Sequence, residues 1–213
     1  MKSLGVPLGL AAFLCSSLAS SWAAAAEDEW DGGYAGKAER RSGFAAAFDL
    51  GFGLGSASGY PNEISKIDDP DYESSTGAAF GSTWSLWAGG ALRDWFTFGL
   101  GLMSLGAASK DIKAGGTAFI LHIETYPLWS MGGRLRDVSV YTHVGAGSLA
   151  ITGGPEKADG GLMSVLGGGV GYELWRPGSF TIGPMLEGSY LYSQSGEAFG
   201  VFVGMRSSFH GGP

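Results

Sequence analysis

Large apolar residues recur at every second position in several stretches of the chain. Between residues 44 and 54 the even positions hold Phe, Ala, Phe, Leu, Phe and Leu, while the odd positions hold Ala, Gly and Asp49. Because successive side chains of a strand point to opposite faces, this period of two predicts strands with one apolar face. Eight such stretches occur, at residues 44–54, 78–92, 96–102, 119–125, 138–145, 162–174, 180–190 and 199–209.

The opposite face of these strands indicates what the apolar face contacts. Alternation also suits a soluble barrel with its apolar face inward, and a secreted lipocalin-like barrel that binds an apolar ligand is the alternative interpretation. The opposite face is mostly Gly, Ala, Ser and Thr, whereas a water-facing surface normally carries many charges. Its charged residues are only five: Asp49, Glu124, Glu173, Glu187 and Arg206. The pattern therefore predicts an all-β fold, an eight-stranded antiparallel up-and-down transmembrane β-barrel with its apolar rows against lipid.

The composition and the connections agree with a barrel. The chain has 39 Gly in 213 residues, and 15% of its residues are charged. Each Gly inside a helix costs about 1 kcal/mol relative to Ala, so helical folds are disfavoured. A long polar segment follows the first strand and a tight turn follows the second. Long and short connections alternate well over the first three connections and weakly afterwards, and such alternation is expected if one end of the barrel faces the cell exterior.

The N-terminal segment indicates export. Lys2, an apolar run and the alanines at 23–26 have the layout of a secretory signal peptide, predicted at residues 1–26. We interpret residues 27–41 as a periplasmic N-terminal arm, 42–209 as the barrel and 210–213 as a C-terminal tail. The single Cys, Cys15, lies in the signal segment, so no disulfide is predicted. The net charge of −7 and the absence of a basic stripe argue against nucleic-acid binding.

The last strand resembles those of a known family. It reads Gly-Val-Phe-Val-Gly-Met-Arg-Ser-Ser-Phe over residues 200–209. With the signal segment and eight strands without Cys, the chain resembles small outer-membrane β-barrel proteins of Gram-negative bacteria, the OmpA-like class without a peptidoglycan-binding domain. The resemblance implies contact with outer-membrane lipids and lipopolysaccharide, and recognition of Phe209 by the barrel-assembly machinery. Four residues follow Phe209, which departs from the usual terminus of the family.

The same resemblance leaves several functions open. Members include structural anchors, adhesins, small-solute pathways and a few lipid-modifying enzymes. It therefore implies a structural or surface-exposed role with room for limited small-solute passage, and no cofactor. A lipid A-modifying hydrolase is a minor alternative. Related deacylases carry a His-x-Ser arrangement facing lipid, which His122 and His143 lack, so no catalytic residues are predicted.

The inward charges are the main candidates for a functional site. Asp49 and Arg206 lie at comparable heights on the first and last strands, which must be neighbours in a closed barrel, so we expect them to pair. Glu124 and His143 are placed similarly about one hairpin, and we expect a second pair there. The remaining polar candidates in the lumen are His122, Tyr141, Glu173 and Glu187. Two interpretations remain: mutually satisfied structural plugs, or a hydrated path that favours cations, with room left by inward glycines.

The loop between residues 60 and 73 is acidic. Its carboxylates are hard oxygen ligands of the kind that bind Ca²⁺ or Mg²⁺. Their spacing does not match a twelve-residue calcium loop, and a solvated acidic surface loop is the alternative. The weak metal-binding candidates are Asp68, Asp69, Asp71 and Glu73.

Overall fold

Eight long strands follow one another in the computed structural model, which describes residues 41–131 and 133–211. They are β1 Gly43–Gly59, β2 Ala79–Arg93, β3 Phe96–Ala108, β4 Lys113–Thr125, β5 Val138–Thr152, β6 Met163–Tyr172, β7 Phe180–Tyr192 and β8 Gly196–His210. Short 3-10 helices lie at Pro70–Tyr72, Trp129–Met131 and Leu135–Asp137, and two-residue strands at Ser74–Ser75 and Ala158–Asp159. Within the described ranges, no helix has the length and apolar character needed to cross a membrane. The predicted signal peptide, residues 27–40 of the predicted arm and residues 212–213 of the tail lie outside the described residues.

The eight long strands close into a barrel. Each pairs antiparallel with its neighbours in the chain, and β8 pairs with β1 from Ala45–His210 to Gly59–Gly196. This last ladder joins the two edges of the sheet, so the backbone groups of both edges are paired. The predicted eight-stranded antiparallel up-and-down barrel is confirmed.

Several strands are longer than the hydrophobic pattern predicts. β1 continues to Gly59, β3 continues to Ala108, and β4 begins at Lys113. The added residues are mainly Gly, Ala, Ser and Thr, which carry little hydrophobic periodicity but still form ladder hydrogen bonds. β8 also includes His210, which the sequence assigns to the tail.

The two ends of the barrel differ, and we name them by their chain segments. The loop-60 end carries connections 60–78, 109–112, 153–162 and 193–195; the terminal end carries residues 41–42 and 211 and connections 94–95, 126–137 and 173–179. The predicted alternation is therefore wrong at the third connection, which spans only 109–112, and the later connections do not alternate. Connections 126–137 and 173–179 are longer than 109–112 and 193–195 because they contribute side chains that fill the terminal mouth.

The predicted faces of the strands are confirmed. On β2, Phe80 points outward and is 65% exposed, whereas Trp87 points inward and is 1% exposed. On β8, Val203 is 64% exposed and Phe202 is fully buried. The core of the protein therefore lies inside the barrel, and the remaining large apolar side chains of the strands are exposed on its outer surface.

Candidate functional site: the barrel lumen

Large inward side chains occupy the space beside inward glycines. A Cβ atom on Gly101 would lie 2.6 Å from the Cβ of Trp87, and one on Gly99 would lie 2.7 Å from its ring. A Cβ on Gly169 would lie 2.6 Å from the Tyr141 hydroxyl. Each large side chain therefore fits only because its neighbouring strand carries no side chain there.

Inward glycines also make room for the rings of Phe202 and His143. The ring of Phe202 lies against Gly200 and Gly81, and the ring of His143 lies against Gly167. The inward glycines were expected to leave room for a hydrated path. Instead, that room is filled by large inward side chains, which favours the interpretation of the lumen as a structural plug.

Arg206 joins two buried carboxylates. Its Nε donates to Asp49 Oδ1 at 2.6 Å, and its Nη1 donates to Glu124 Oε1 at 2.6 Å. Asp49 also accepts a hydrogen bond from Ser85 Oγ at 2.7 Å. The guanidinium carbon lies 3.9 Å from the ring centroid of Tyr141. The predicted Asp49–Arg206 pair is confirmed. We call the group around this pair the central polar cluster; its members are Asp49, Glu124, Tyr141, Arg206, His122, His143 and Glu187.

The expected contact between Glu124 and His143 is wrong. The register of β4 and β5 places His122 opposite His143, and Glu124 opposite Tyr141. This register differs by two residues from the predicted one, because the last pair of the hairpin is Thr125–Val140 and the connection beyond it forms 3-10 helices. A shift of two keeps every side chain on its predicted face but changes its partner.

Each histidine of the central polar cluster instead lies near a different carboxylate. His122 Nε2 is 3.6 Å from Glu124 Oε2, and His143 Nε2 is 3.8 Å from Glu187 Oε1. His122 also stacks on Trp87, with ring centroids 4.4 Å apart. Within the described chain, no hydroxyl hydrogen-bonds to a ring nitrogen of these histidines or of His210. The Ser–His hydrogen bond that a hydrolase of the triad type needs is therefore not formed by them.

Glu187 is held by hydroxyl groups. Ser189 Oγ donates to its Oε1 at 2.7 Å, Tyr141 OH donates to its Oε2 at 3.3 Å, and Thr83 Oγ1 lies 3.4 Å away. The side chain is 1% exposed. Glu187 therefore shares Tyr141 with Arg206, which links it to the rest of the cluster.

A second charged cluster closes the terminal mouth of the barrel. Arg41 is fully buried, and its Nη2 donates to Glu173 Oε2 at 2.6 Å and to Asp137 Oδ1 at 3.2 Å. Its guanidinium carbon lies 3.5 Å from the ring centroid of Tyr126, whose hydroxyl donates to Glu173 Oε1 at 2.9 Å. We call this group the terminal plug; its other members are Asp94, Arg136, Arg176 and His210.

The terminal plug favours the ionised form of Glu173. Burial alone would raise the pKa of this carboxyl group. The His210 ring, whose Nε2 lies 3.5 Å from Glu173 Oε1, the hydrogen bonds and positive charge of Arg41 and the charge of Arg176 together outweigh burial. They hold the pKa of Glu173 well below its ordinary range. Burial also raises the pKa of the Tyr126 hydroxyl, which therefore stays protonated and can donate to Glu173.

Sequence reasoning missed Arg41 and placed Glu173 with the wrong neighbours. Arg41 was assigned to the N-terminal arm, although a charged pair directly before an apolar strand is a weak sign of a residue at the barrel mouth. Glu173 belongs to the terminal plug rather than to the central polar cluster, because β6 ends at Tyr172. The other polar candidates that the sequence placed in the lumen do lie together there; they are Asp49, His122, Glu124, Tyr141, His143, Glu187 and Arg206.

The acidic loop does not assemble a metal-binding group. Across residues 41–131 and 133–211, no three His, Cys, Asp or Glu side chains are placed so that they could hold a metal ion. Asp69 Oδ1 instead accepts from the Asp71 backbone N–H at 3.1 Å and caps the 3-10 helix Pro70–Tyr72. Asp68 and Glu73 flank that turn.

An apolar layer fills the lumen between the central polar cluster and the loop-60 end. Phe202 and Ile120 are fully buried at its centre, and Leu105 is 1% exposed. Its other large members are Met103, Leu149, Ile151, Met163, Val165 and Leu191. A charged solute passing along the barrel axis would lose its hydration in this layer without gaining a polar partner.

Comparison with solved structures finds small outer-membrane barrels. The Ail attachment invasion locus protein of Yersinia pestis is 11% identical, with a TM-score of 0.47, covering 78% of this chain and 99% of its own. Neisserial surface protein A is 13% identical, with a TM-score of 0.45, covering 78% and 96%. The N-terminal β-barrel domain of Pseudomonas aeruginosa OprF is 14% identical, with a TM-score of 0.40, covering 78% and 98%.

These similarities concern the shape of the chain. No protein-family model matches the sequence, and no curated protein matches it. The assignment of the fold rests on the strand pairing of this chain.

Proposed function

We propose that the protein is an integral outer-membrane barrel with a structural or surface-exposed role, and that its lumen does not conduct. The observation that carries this proposal is the exterior of the barrel. In the eight described strands, the charged side chains that face outward are Arg93, Lys113 and Glu197, each within two residues of a strand end. All other strand charges point into the lumen, so a broad uncharged band surrounds the barrel, as lipid requires.

Aromatic side chains border this band at two levels. Near the terminal end, the ring of Phe209 lies 6.3 Å from that of Phe44 and 5.0 Å from that of Phe180. Near the loop-60 end, the rings of Tyr190 and Tyr192 stack at 5.6 Å. Aromatic rings collect at the two interfaces of a bilayer, which supports placement of the band in the hydrocarbon.

The soluble alternative fits the molecule poorly. A lipocalin-like protein would place a ligand cavity inside and a polar surface outside. Here the lumen holds the central polar cluster and the apolar layer, while Leu54 is 69% exposed and Phe80 is 65% exposed on the outside. In water this surface would far exceed the apolar patches that soluble monomers tolerate.

Cysteine labelling tests the membrane placement. In a Cys15→Ser background, Phe48→Cys and Val201→Cys should be protected from a membrane-impermeant maleimide in outer-membrane vesicles, because both side chains face lipid. Ile64→Cys is the matched control, since Ile64 is 91% exposed in a loop. The parent should also sediment with the outer membrane as a heat-modifiable band. Labelling of Phe48→Cys as fast as that of Ile64→Cys would overturn the proposal.

Bilayer recordings test the closed lumen. The parent should give no single-channel steps in a planar bilayer, because the apolar layer and the terminal plug lie in series along the axis. Discrete steps in the parent that shrink in Glu124→Gln and Glu187→Gln would show instead that the lumen is a cation path.

A further inference from the structure

The central polar cluster contains more acidic than basic groups. Three carboxyl groups, those of Asp49, Glu124 and Glu187, accompany one guanidinium group, that of Arg206. If all three are ionised and the histidines are neutral, three negative charges and one positive charge leave a net formal charge of −2. The terminal plug, by contrast, balances three carboxylates with three guanidinium groups. The excess negative charge of the described lumen therefore lies in the central polar cluster.

Glu187 is the carboxyl group of this cluster that has no basic partner. Arg206 binds Asp49 and Glu124 at 2.6 Å each, and no Lys or Arg of the described chain forms an ion pair with Glu187. Its hydrogen-bond partners are hydroxyl groups, and it lies near the middle of β7, 1% exposed. A carboxylate buried in this way is costly, and such a group takes up a proton instead.

The hydrogen bonds of Thr83 indicate where this proton lies. A hydroxyl group has one hydrogen to donate and two lone pairs that accept. Thr83 Oγ1 is 3.2 Å from the carbonyl oxygen of Ser104, which can only accept, and 3.4 Å from Glu187 Oε1. Because the hydrogen of Thr83 serves the shorter contact, a hydrogen bond between Thr83 and Glu187 requires a hydrogen on Oε1.

His143 is the other group that could carry the proton, since its Nε2 is 3.8 Å from Glu187 Oε1. A protonated imidazole donates from both ring nitrogens, and neither nitrogen of His143 has a hydrogen-bond partner among the described residues. A charged ring would bury two unsatisfied donors, whereas a neutral ring buries one and can turn a lone pair toward Oε1. The proton is therefore better placed on Glu187.

The ionisable groups around Glu187 agree with this placement. Asp49 of β1 and Arg206 of β8 act on it through space, and Tyr141 and His143 of β5 lie beside it. The negative charge of Asp49 favours proton uptake by Glu187. Arg206 opposes it, but its guanidinium group is already bound to two carboxylates.

We propose that Glu187 is a proton-binding site, with a proton on Oε1 directed toward Thr83 and His143 at neutral pH. The bound proton reduces the net formal charge of the central polar cluster from −2 to −1 and leaves Arg206 to Asp49 and Glu124. The inference rests on the proposed function in one respect, because the cost of the excess charge depends on the surrounding hydrocarbon. Loss of the proton as the pH rises would restore a buried, unpaired carboxylate, so the barrel contains a pH-sensitive group.

Infrared spectroscopy of the full chain in lipid vesicles tests this site, because the C=O stretching band of a protonated carboxyl group is separate from the carboxylate bands. At neutral pH the parent should show this band, and Glu187→Gln should lose it. Glu173→Gln is the matched control, since Glu173 is also buried but is paired with Arg41, and it should keep the band. A parent without the band, a band that persists in Glu187→Gln, or one that disappears in Glu173→Gln would overturn the proposal.

The pH dependence of unfolding gives a second measurement. Between about pH 5 and pH 7 a glutamate of the unfolded chain is ionised, so unfolding would release the proton of Glu187. The unfolding equilibrium constant of the parent, relative to that of Glu187→Gln, should therefore increase about tenfold per pH unit as the pH rises. A ratio independent of pH would show that Glu187 is ionised in the folded barrel and would overturn the proton site.

The labelling of Phe48→Cys separates this inference from the proposed function. Protection of that cysteine without the infrared band would overturn the proton site alone. Rapid labelling of that cysteine with the band present would overturn the membrane placement alone.

Discussion

The two halves of the lumen are filled by opposite chemistry. Toward the terminal end, Arg206 and Arg41 each bind buried carboxylates, Asp49 and Glu124 in one case and Glu173 in the other. Toward the loop-60 end, the apolar layer contains no ion pair among its described members. Both halves lie behind the same apolar exterior, so the medium outside does not dictate what fills the inside.

This contrast separates two ways of specifying a barrel interior. Buried ion pairs return little net stability, because desolvation offsets their attraction, but they strongly disfavour any arrangement that leaves a charge unpaired. The apolar layer selects by shape, since the ring of Phe202 fits only beside Gly200 of its own strand and Gly81 of β2. The polar half therefore fixes register through charge, and the apolar half fixes it through volume.

Arg206→Leu would disrupt the polar half most severely. Asp49 and Glu124 would stay buried without their guanidinium partner, and breaking a buried pair in this way costs about 4 kcal/mol of the free energy of unfolding. Urea-induced unfolding of the folded barrel in lipid vesicles, followed by tryptophan fluorescence, measures the loss.

Arg93→Leu is the control for Arg206→Leu, because Arg93 is exposed at the end of β2. It should change stability little. Combining Arg206→Leu with Asp49→Asn and Glu124→Gln should restore part of the loss, since no unpaired charge remains. Equal effects of Arg206→Leu and Arg93→Leu would contradict the importance of the central polar cluster.

Phe202→Ala tests the apolar half. The side chain is fully buried beside Gly200 and Gly81, so its removal leaves a cavity that neighbouring side chains cannot readily fill. We expect the free energy of unfolding to fall by about 3 kcal/mol in the same unfolding assay. Phe199→Ala removes an outward ring that is 48% exposed, and its loss should be clearly smaller; equal losses would refute packing by shape in this layer.

Glu173→Gln distinguishes the halves by their response to pH. The lowered pKa of Glu173 means that its stabilisation is complete above the ordinary carboxyl pKa of about 4.3 and is lost as pH falls through the lowered value. The variant should have a free energy of unfolding about 2 kcal/mol lower than that of the parent at pH 7. This difference in unfolding free energy should become smaller below about pH 4. Unfolding measured from pH 7 down to pH 2 checks this.

A matched variant completes the pH comparison. Phe202→Ala should stay separated from the parent by the same free energy at every pH, because it removes no titrating group. If the difference in unfolding free energy between Glu173→Gln and the parent were also independent of pH, this would count against the charge pairing of the terminal plug.

Gly167→Ala should have the smallest effect of the four substitutions. The new methyl group would overlap the His143 ring. After the ring shifts, we expect the free energy of unfolding to be about 1 kcal/mol lower than that of the parent. Gly188→Ala is the control, because a Cβ there would meet nothing closer than Gly200 O at 3.9 Å. Equal unfolding midpoints for the two variants would show that His143 is not confined by the glycine.

The sequence predicted some contacts of the lumen and not others, for identifiable reasons. Asp49 and Arg206 could be paired because barrel closure requires the first and last strands to meet. Glu124 and His143 could not, because the hairpin register depends on connection 126–137, whose 3-10 helices leave no periodic signal. Arg41 was missed because its burial depends on partners from the distant segments 94–95, 126–137 and 173–179.

Side-chain alternation is a local property of extended backbone, and it alone determined the number of strands and the face on which each strand residue lies. Which inward residues touch was decided only by the closed sheet, because register and the filling of glycine gaps arise between strands far apart in sequence. Arg41 and Glu173 illustrate this limit: they are separated by 132 positions, yet together they close one mouth of the barrel.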